Sequence, residues 1–270
     1  MRKIAKFLLI PLLFFFIAAG AQPAAAAAYP KSMAALGDSI SQAADVCCWY
    51  GDHPAQSWST GNNQYDGIRS HYERLLAVQP AIAGKNYNNS RSGAKAADLP
   101  AQGRAAVAQK AQYVTILIGA NDLCTSTTGG MTDPGSFETS IRTSLQTLNQ
   151  MRPRPQVFVS SIPNVHHLWS VLKGSEIAQW VWSTAKVCQS MLSTANTDAD
   201  RQLVVDRELA FNASLARVCQ EFGHMCRHDG GAVYNYPFTA GDVSVLDYFH
   251  PSLRGQAALA NVTWNAAGWS

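Results

Sequence analysis

The chain has 270 residues, of which 47% are hydrophobic and 14% are charged, and its formal net charge is +3. The high apolar fraction argues against intrinsic disorder, and a chain of this length can bury one sizeable core. The small net charge excludes the strongly basic surface that nucleic-acid binding would require.

The first 28 residues have the pattern of a secretory signal. Three basic residues precede an apolar run at 7–19, and alanines follow at 24–28. The apolar run is shorter than the ~20 residues of a membrane-spanning helix, and small residues follow it as they do before a cleavage site. We predict cleavage near Ala28, an extracellular protein without a stable membrane anchor, and one mature domain at 29–270. This mature chain keeps 18 of the 21 basic residues against 18 acidic ones, so it is near neutral.

The mature chain alternates between strand-like and helix-like segments. Four segments have the apolar and β-branched content of buried strands, namely 32–36, 85–89, 113–118 and 156–162. Helix-like segments lie between and after them, at 65–78, 97–109, 136–151, 177–193, 200–222 and 252–265. This alternation predicts right-handed crossovers and a parallel sheet covered by helices on both faces. The expected fold class is therefore α/β, as a three-layer α/β/α sandwich.

Six cysteines in an exported chain favour disulfides over metal ligands, and no Cys-x-x-Cys spacing is present. One arrangement consists of the bridges Cys124–Cys188, Cys219–Cys226 and Cys47–Cys48. The last of these joins adjacent residues only ~3.8 Å apart, which is below the usual ~4.4 Å minimum for a disulfide and would strain it. The sequence leaves the connectivity open.

A candidate nucleophile follows the first predicted strand, where Ser39 ends the motif Leu36-Gly37-Asp38-Ser39. A strand fixes the position of a serine at its end, while the open edge exposes the hydroxyl. Taken alone, Gly-Asp-Ser also describes an ordinary capped turn.

An acid and a base lie near the other end of the chain, as Asp247 and His250 in Asp-Tyr-Phe-His-Pro. Ser, His and Asp need to meet in space but not in sequence, so these residues could complete a catalytic triad with Ser39.

Four motifs, taken together and in this order, resemble the SGNH or GDSL hydrolases. The marker positions are Ser39 in Gly-Asp-Ser-Ile, Gly93 in Arg-Ser-Gly, Asn121 in Gly-Ala-Asn-Asp, and His250 in Asp-Tyr-Phe-His-Pro. The resemblance spans the mature chain and implies a flavodoxin-like sheet with strand order 2-1-3-4-5. In that order the ends of the first three strands are neighbours, which would bring Ser39, Gly93 and Asn121 together.

The resemblance also implies the role of each residue. Ser39 would be the nucleophile, His250 the general base and Asp247 its orienting acid. The oxyanion hole would consist of the backbone N–H groups of Ser39 and Gly93 and the side-chain amide of Asn121. No metal and no cofactor are implied, and the α/β-hydrolase motif Gly-x-Ser-x-Gly is absent. Two acids that flank the active positions, Asp38 and Asp122, are interpreted as residues that structure the loops and not as a metal pair.

We therefore expect a secreted, monomeric serine esterase or lipase that acts on small-molecule or lipid esters. A carbohydrate acetylesterase or a phospholipase A could use the same site, and a non-catalytic extracellular binding module could share the fold. The segment 47–63 is rich in Trp, Gly and Ser without helical or alternating periodicity. It is expected either to wall the substrate pocket or to be a loop pinned by packing.

Overall fold

The structure is a computed structural model that describes Met1 and residues 29–269. The predicted signal at 1–28 lies, except for Met1, outside the described residues. No helix within 29–269 combines the length and the apolar character needed to cross a bilayer.

The described part of the chain forms a five-stranded sheet with order β2-β1-β3-β4-β5, in which every neighbouring pair is parallel. The strands are β1 (Met33–Gly37), β2 (Asn86–Asn88), β3 (Tyr113–Leu117), β4 (Gln156–Val159) and β5 (Cys226–His228). This confirms the predicted strand order and fold class. The sequence pattern did not locate β5, because Cys-Arg-His is too short and too polar to look like a buried strand.

Nine helices of four or more residues surround the sheet within 29–269. They are α1 (His71–Val78), α2 (Leu99–Ala108), α3 (Ala120–Leu123), α4 (Pro134–Asn149), α5 (Val165–Leu172), α6 (Glu176–Thr184), α7 (Gln189–Leu192), α8 (Asp198–Glu221) and α9 (Leu253–Ala267). Short 3-10 turns connect several of them.

Two helix predictions differ from the structure for local reasons. The helix expected at 65–78 begins only at His71, because Ser70 and Glu73 form a reciprocal capping box that starts it there. The helix expected at 177–193 is divided into α6 and α7. Lys186 and Cys188 have φ values of +55° and +42° in the connection, and an α-helix cannot continue through such residues.

The two faces of the sheet pack against different helices, because successive side chains of a strand point to opposite faces. Val114 and Ile116 pack in one cluster with Leu145 of α4 and Phe211 of α8. Tyr113 packs on the opposite face with Leu75 of α1. The three layers leave the carboxyl ends of β1, β2 and β3 free to carry loops.

All six cysteines lie within the described residues, and two disulfides form. Cys124–Cys188 joins the end of α3 to the start of α7, and Cys219–Cys226 joins α8 to β5. Cys47 and Cys48 are free thiols, so the strained third bridge of the arrangement considered above is not formed.

Candidate active site

The end of β1 holds Ser39 through a turn that only glycine fits. Gly37 has φ +149°, and a Cβ there would lie 2.2 Å from the Leu117 carbonyl oxygen on β3. The buried side chain of Gln102 forms two hydrogen bonds with the backbone of Gly37. It accepts from the Gly37 N–H at 2.7 Å and donates to the Gly37 carbonyl at 2.9 Å. The chain therefore leaves the strand in one direction, and this fixes the position of Ser39.

A chain of hydrogen bonds joins two regions that are far apart in the sequence. The Oγ of Ser39 lies 2.8 Å from Nε2 of His250. Nδ1 of His250 is hydrogen-bonded to Oδ2 of Asp247. Because Nδ1–H donates to the carboxylate, Nε2 is left as the acceptor for the serine hydroxyl.

The Asp247–His250 turn is rigidly built. Oδ1 of Asp247 accepts from the backbone N–H groups of Phe249 at 2.9 Å and His250 at 3.0 Å. Tyr248 has φ +56°, and its carbonyl accepts from the indole N–H of Trp182 on α6 at 3.0 Å. These bonds orient the carboxylate before any substrate binds.

Charges around the imidazole favour its protonated form. Burial alone would lower the pKa of His250, but the hydrogen bond and charge of Asp247, followed by the charges of Asp45 and Asp38, raise this pKa above its ordinary value of 6.5. Burial would raise the pKa of Asp247, yet the hydrogen bond and charge of His250 hold it below the ordinary value of 3.8. The pair is therefore suited to carry an imidazolium beside a carboxylate.

Gly93 lies on the loop after β2, and Asn121 lies in α3, the short helix that follows β3. Gly93 has φ +79°, is exposed, and has no atom within 4 Å of where a Cβ would lie. Nδ2 of Asn121 donates to the Ala94 carbonyl at 3.0 Å. An amide nitrogen carries two hydrogens, so this bond orients the amide and leaves one hydrogen for a further acceptor.

The acids beside these motifs bond to backbone, as expected for residues that structure loops. Oδ1 of Asp38 accepts from the N–H of Ile40 at 3.0 Å, and Oδ2 of Asp122 accepts from the N–H of Ala96 at 2.9 Å. Complete burial raises the pKa of Asp38 to about 7.

All five predicted site residues, namely Ser39, Gly93, Asn121, Asp247 and His250, line one cleft of about 520 Å³. The segment 47–63 contributes Tyr50, Gly51 and Asp52 to the wall, whereas Trp58 is fully buried in the core. One part of the segment therefore walls the cleft, and another part is held in place by packing, so both alternatives given above apply.

Sequence reasoning missed two charged residues of this cleft, Asp45 and Lys186. Neither belongs to a motif. Only the fold shows that the Asp45 carboxylate approaches His250, and that the break between α6 and α7 brings Lys186 to the cleft. Ligand atoms of Asp45, Asp247 and His250 lie within 4.8 Å of one another, the spacing of a possible cation site, but the Asp247–His250 hydrogen bond already uses two of them.

Sequence comparison identifies the class of protein that this fold and cleft define. Residues 35–258 match the GDSL-like Lipase/Acylhydrolase family, and the chain belongs to it. It is thus an SGNH/GDSL-type carboxylic ester hydrolase. No curated protein matches the chain at a significant level.

Two solved structures similar to this chain have the same fold, and a third is similar to a lesser degree. An acetyl xylan esterase from Geobacillus stearothermophilus is 17% identical with a TM-score of 0.51, over 88% of this chain and 95% of that one. A carbohydrate esterase family 2 enzyme with a carbohydrate binding domain, from Corynascus thermopiles, is 16% identical with a TM-score of 0.53, over 92% of this chain and 69% of that one. An extracellular lipase from Streptomyces rimosus is 17% identical with a TM-score of 0.44, over 86% and 99%.

Proposed function

We propose that this protein is a secreted serine esterase or lipase that cleaves carboxylic esters through an acyl-enzyme on Ser39. The observation that carries the proposal is the 2.8 Å contact between Oγ of Ser39 and Nε2 of His250. A hydroxyl bonded to the acceptor nitrogen of an imidazole, whose other nitrogen is held by a carboxylate, is an activated nucleophile.

In the proposed reaction, His250 Nε2 takes the proton of Ser39 Oγ as the oxygen attacks the ester carbonyl. The imidazolium then gives this proton to the leaving alcohol, and a water molecule hydrolyses the acyl-enzyme with His250 again acting as the base. Asp247 holds the imidazole in the required tautomer and stabilises its charged form.

The negative oxygen of the tetrahedral intermediate would be stabilised by three donors, the backbone N–H groups of Ser39 and Gly93 and the free amide hydrogen of Asn121. The exposed main chain at Gly93 supports this role, since no side chain blocks the approach of a substrate. Neutral donors that are fixed in advance stabilise developing charge without moving during the reaction.

We also propose that residues 29–270 form a single secreted, monomeric domain without a stable membrane anchor or a nucleic-acid partner. The signal-like composition of residues 1–28 and the two disulfides support export, because disulfides persist in oxidising compartments.

The direct test is Ser39→Ala assayed on a simple aryl ester. We expect turnover to fall on the order of 10⁴–10⁶-fold while the circular dichroism spectrum stays unchanged. Ser136→Ala, on the exposed start of α4, is the matched control and should keep wild-type turnover. Full activity of Ser39→Ala would refute the proposal.

A carbohydrate acetylesterase is a second candidate, favoured by polar residues in the cleft wall such as Ser92 and Lys186 and by Tyr50 at the same wall, which is 69% exposed. A flat aromatic ring beside polar groups suits a sugar. Similar structures also include an acetyl xylan esterase.

Activity against acyl-chain length separates the candidates. Activity confined to acetyl esters, with acetylated sugars preferred over aryl acetates, would favour the acetylesterase. Activity on butyryl and longer esters would favour a general esterase or lipase, and release of fatty acid from phospholipid would indicate a phospholipase A.

A further inference from the structure

The loop that follows Ser39 carries a second carboxylate to the base. Oδ2 of Asp45 lies 3.7 Å from Nδ1 of His250, the same ring nitrogen that is hydrogen-bonded to Asp247. The side chains of Asp45 and His250 are only 17% and 15% exposed, so solvent screens this pair incompletely. Two carboxylates therefore flank one nitrogen of the imidazole.

The position of Asp45 is set by its own loop. Its Oδ1 accepts from the Gly51 N–H at 2.6 Å, and its N–H donates to the Gly51 carbonyl at 2.8 Å. The carbonyl of Asp45 accepts from the hydroxyl of Ser244, near the turn that carries His250. Asp45 has φ +53°, a conformation that Asp tolerates better than most residues. One carboxylate oxygen is thus anchored, and the other faces the imidazole.

We propose that Asp45 is a positioning residue for His250, a second acid that stabilises the imidazolium formed during ester hydrolysis and partly replaces Asp247 when that carboxylate is neutralised. The inference rests on the proposed role of His250 as general base. At 3.7 Å the contact is too long for a strong hydrogen bond, so Asp45 acts mainly through its charge.

The proton balance of the reaction is unchanged by this role. The proton that leaves Ser39 Oγ moves to Nε2 and then to the leaving alcohol, while Nδ1 keeps its own proton throughout. Asp45 neither gains nor loses a proton. The charge of Asp45 lowers the energy of the imidazolium, the state in which both ring nitrogens are protonated, because a nearby negative charge has its largest effect on that state.

Other charged groups face the same imidazole or cleft and have to be counted. Asp247 comes from the turn of His250 itself, Asp38 from the end of β1, and Asp52 and Lys186 from the cleft wall. Among the acids that raise the pKa of His250, Asp45 follows Asp247 and precedes Asp38. The carboxylate of Asp52 instead accepts from the hydroxyl of Ser92. Asp52 therefore offers a matched control within the same loop.

The test is the pH profile of kcat/KM for Asp45→Asn beside Asp52→Asn. Asn tolerates the positive φ and can still accept from the Gly51 N–H, so the change removes charge and little else. Loss of the Asp45 charge should lower the pKa of His250. We therefore expect the acid limb of the kcat/KM profile of Asp45→Asn to shift to lower pH by about 0.5 pH unit, with a several-fold loss of kcat. Asp52→Asn should move the limb much less.

A double-mutant cycle tests the replacement of Asp247. If Asp45 supports the imidazolium when Asp247 is neutral, Asp45→Asn should reduce kcat by a larger factor in the Asp247→Asn background than in the wild type. If Asp45→Asn does not fold, Asp45→Ser also removes the charge and keeps an oxygen near the Gly51 N–H. ¹⁵N NMR titration of His250 then reports its pKa independently of turnover.

An unchanged acid limb in a folded charge-removing variant, or equal effects in both backgrounds, would overturn the role of Asp45. These outcomes are distinguishable from a failure of the proposed function, which would appear as retained activity in Ser39→Ala.

Discussion

At the residue scale, the candidate site depends on polar side chains that are oriented by one hydrogen bond within the protein and keep a second polar position for the reaction. Asn121 is the clearest case. Its amide is oriented by one bond to the Ala94 carbonyl, and its remaining hydrogen is the one that we propose bonds the substrate oxygen.

Asn121→Ala should therefore lower kcat by about 10²–10³-fold, the usual effect of losing one oxyanion donor, and change KM much less. The measurement is steady-state kinetics on an aryl ester. Asn235→Ala is the matched control, because its amide also donates to a backbone carbonyl, that of Gly231 at 2.8 Å, but Asn235 does not line the cleft. Equal losses of kcat in the two variants would contradict an oxyanion role for Asn121.

The residues that sequence could find are those in motifs. Ser39, Asn121 and His250 stand beside recognisable neighbours, so each could be named before the fold was known. Asp45 could not, because its contact with His250 depends on a left-handed backbone conformation and two bonds to Gly51. The spacing of residues in the sequence predicts neither this backbone conformation nor these hydrogen bonds.

At the element scale, the ends of the parallel strands determine where the site lies. β1 leads to Ser39 through Gly37, which pairs with Leu117 of β3 and leaves no room for a Cβ beside the Leu117 carbonyl.

Gly37→Ala should lower the free energy of unfolding by at least about 1–3 kcal/mol, since strain at an unfavourable φ alone costs that much and the backbone carbonyl has to move as well. It should also reduce kcat, because the chain that carries Ser39 is displaced. Urea unfolding and aryl ester turnover measure the two effects. Gly84→Ala is the control, with φ +70° and no atom within 4 Å of a new Cβ. A smaller loss of stability in Gly37→Ala than in Gly84→Ala would contradict this account.

Long apolar strands could be predicted from the sequence pattern, and their order from the family resemblance, whereas boundaries set by single contacts could not be predicted. β3 and β4 were evident from their continuous apolar residues. β5 is only three residues long and owes its existence to pairing with β4. The break between α6 and α7 likewise depends on the backbone at Lys186 and Cys188, where the Cys124–Cys188 disulfide joins the chain.

At the scale of the whole molecule, the site requires two regions that are far apart in the sequence to meet. Ser39 and His250 are separated by 211 positions in the sequence. Gln256 of α9 connects these regions, donating to the Ile40 carbonyl at 2.8 Å and accepting from the Trp58 N–H at 2.9 Å. The C-terminal helix is thereby held beside the loop that contains Ser39.

The Cys124–Cys188 disulfide should contribute to both stability and the shape of the cleft, since both cysteines line it. The bridge closes a loop of 64 positions, against 7 for Cys219–Cys226. The double change Cys124→Ser with Cys188→Ser should cost roughly 2–4 kcal/mol of unfolding free energy, and more than the matched change at Cys219 and Cys226. Urea unfolding measures both variants, and a larger loss from the shorter loop would contradict the expectation.

The central claim is that Ser39 is an activated nucleophile, and covalent labelling tests it most directly. The protein is treated with an aryl organophosphonate, and the modified peptide is identified by mass spectrometry. We expect one phosphonyl group per molecule, located on Ser39, with loss of ester turnover in proportion to labelling and no adduct in Ser39→Ala. Active enzyme that remains unlabelled at Ser39, or inactivation that follows labelling at another residue, would contradict the claim.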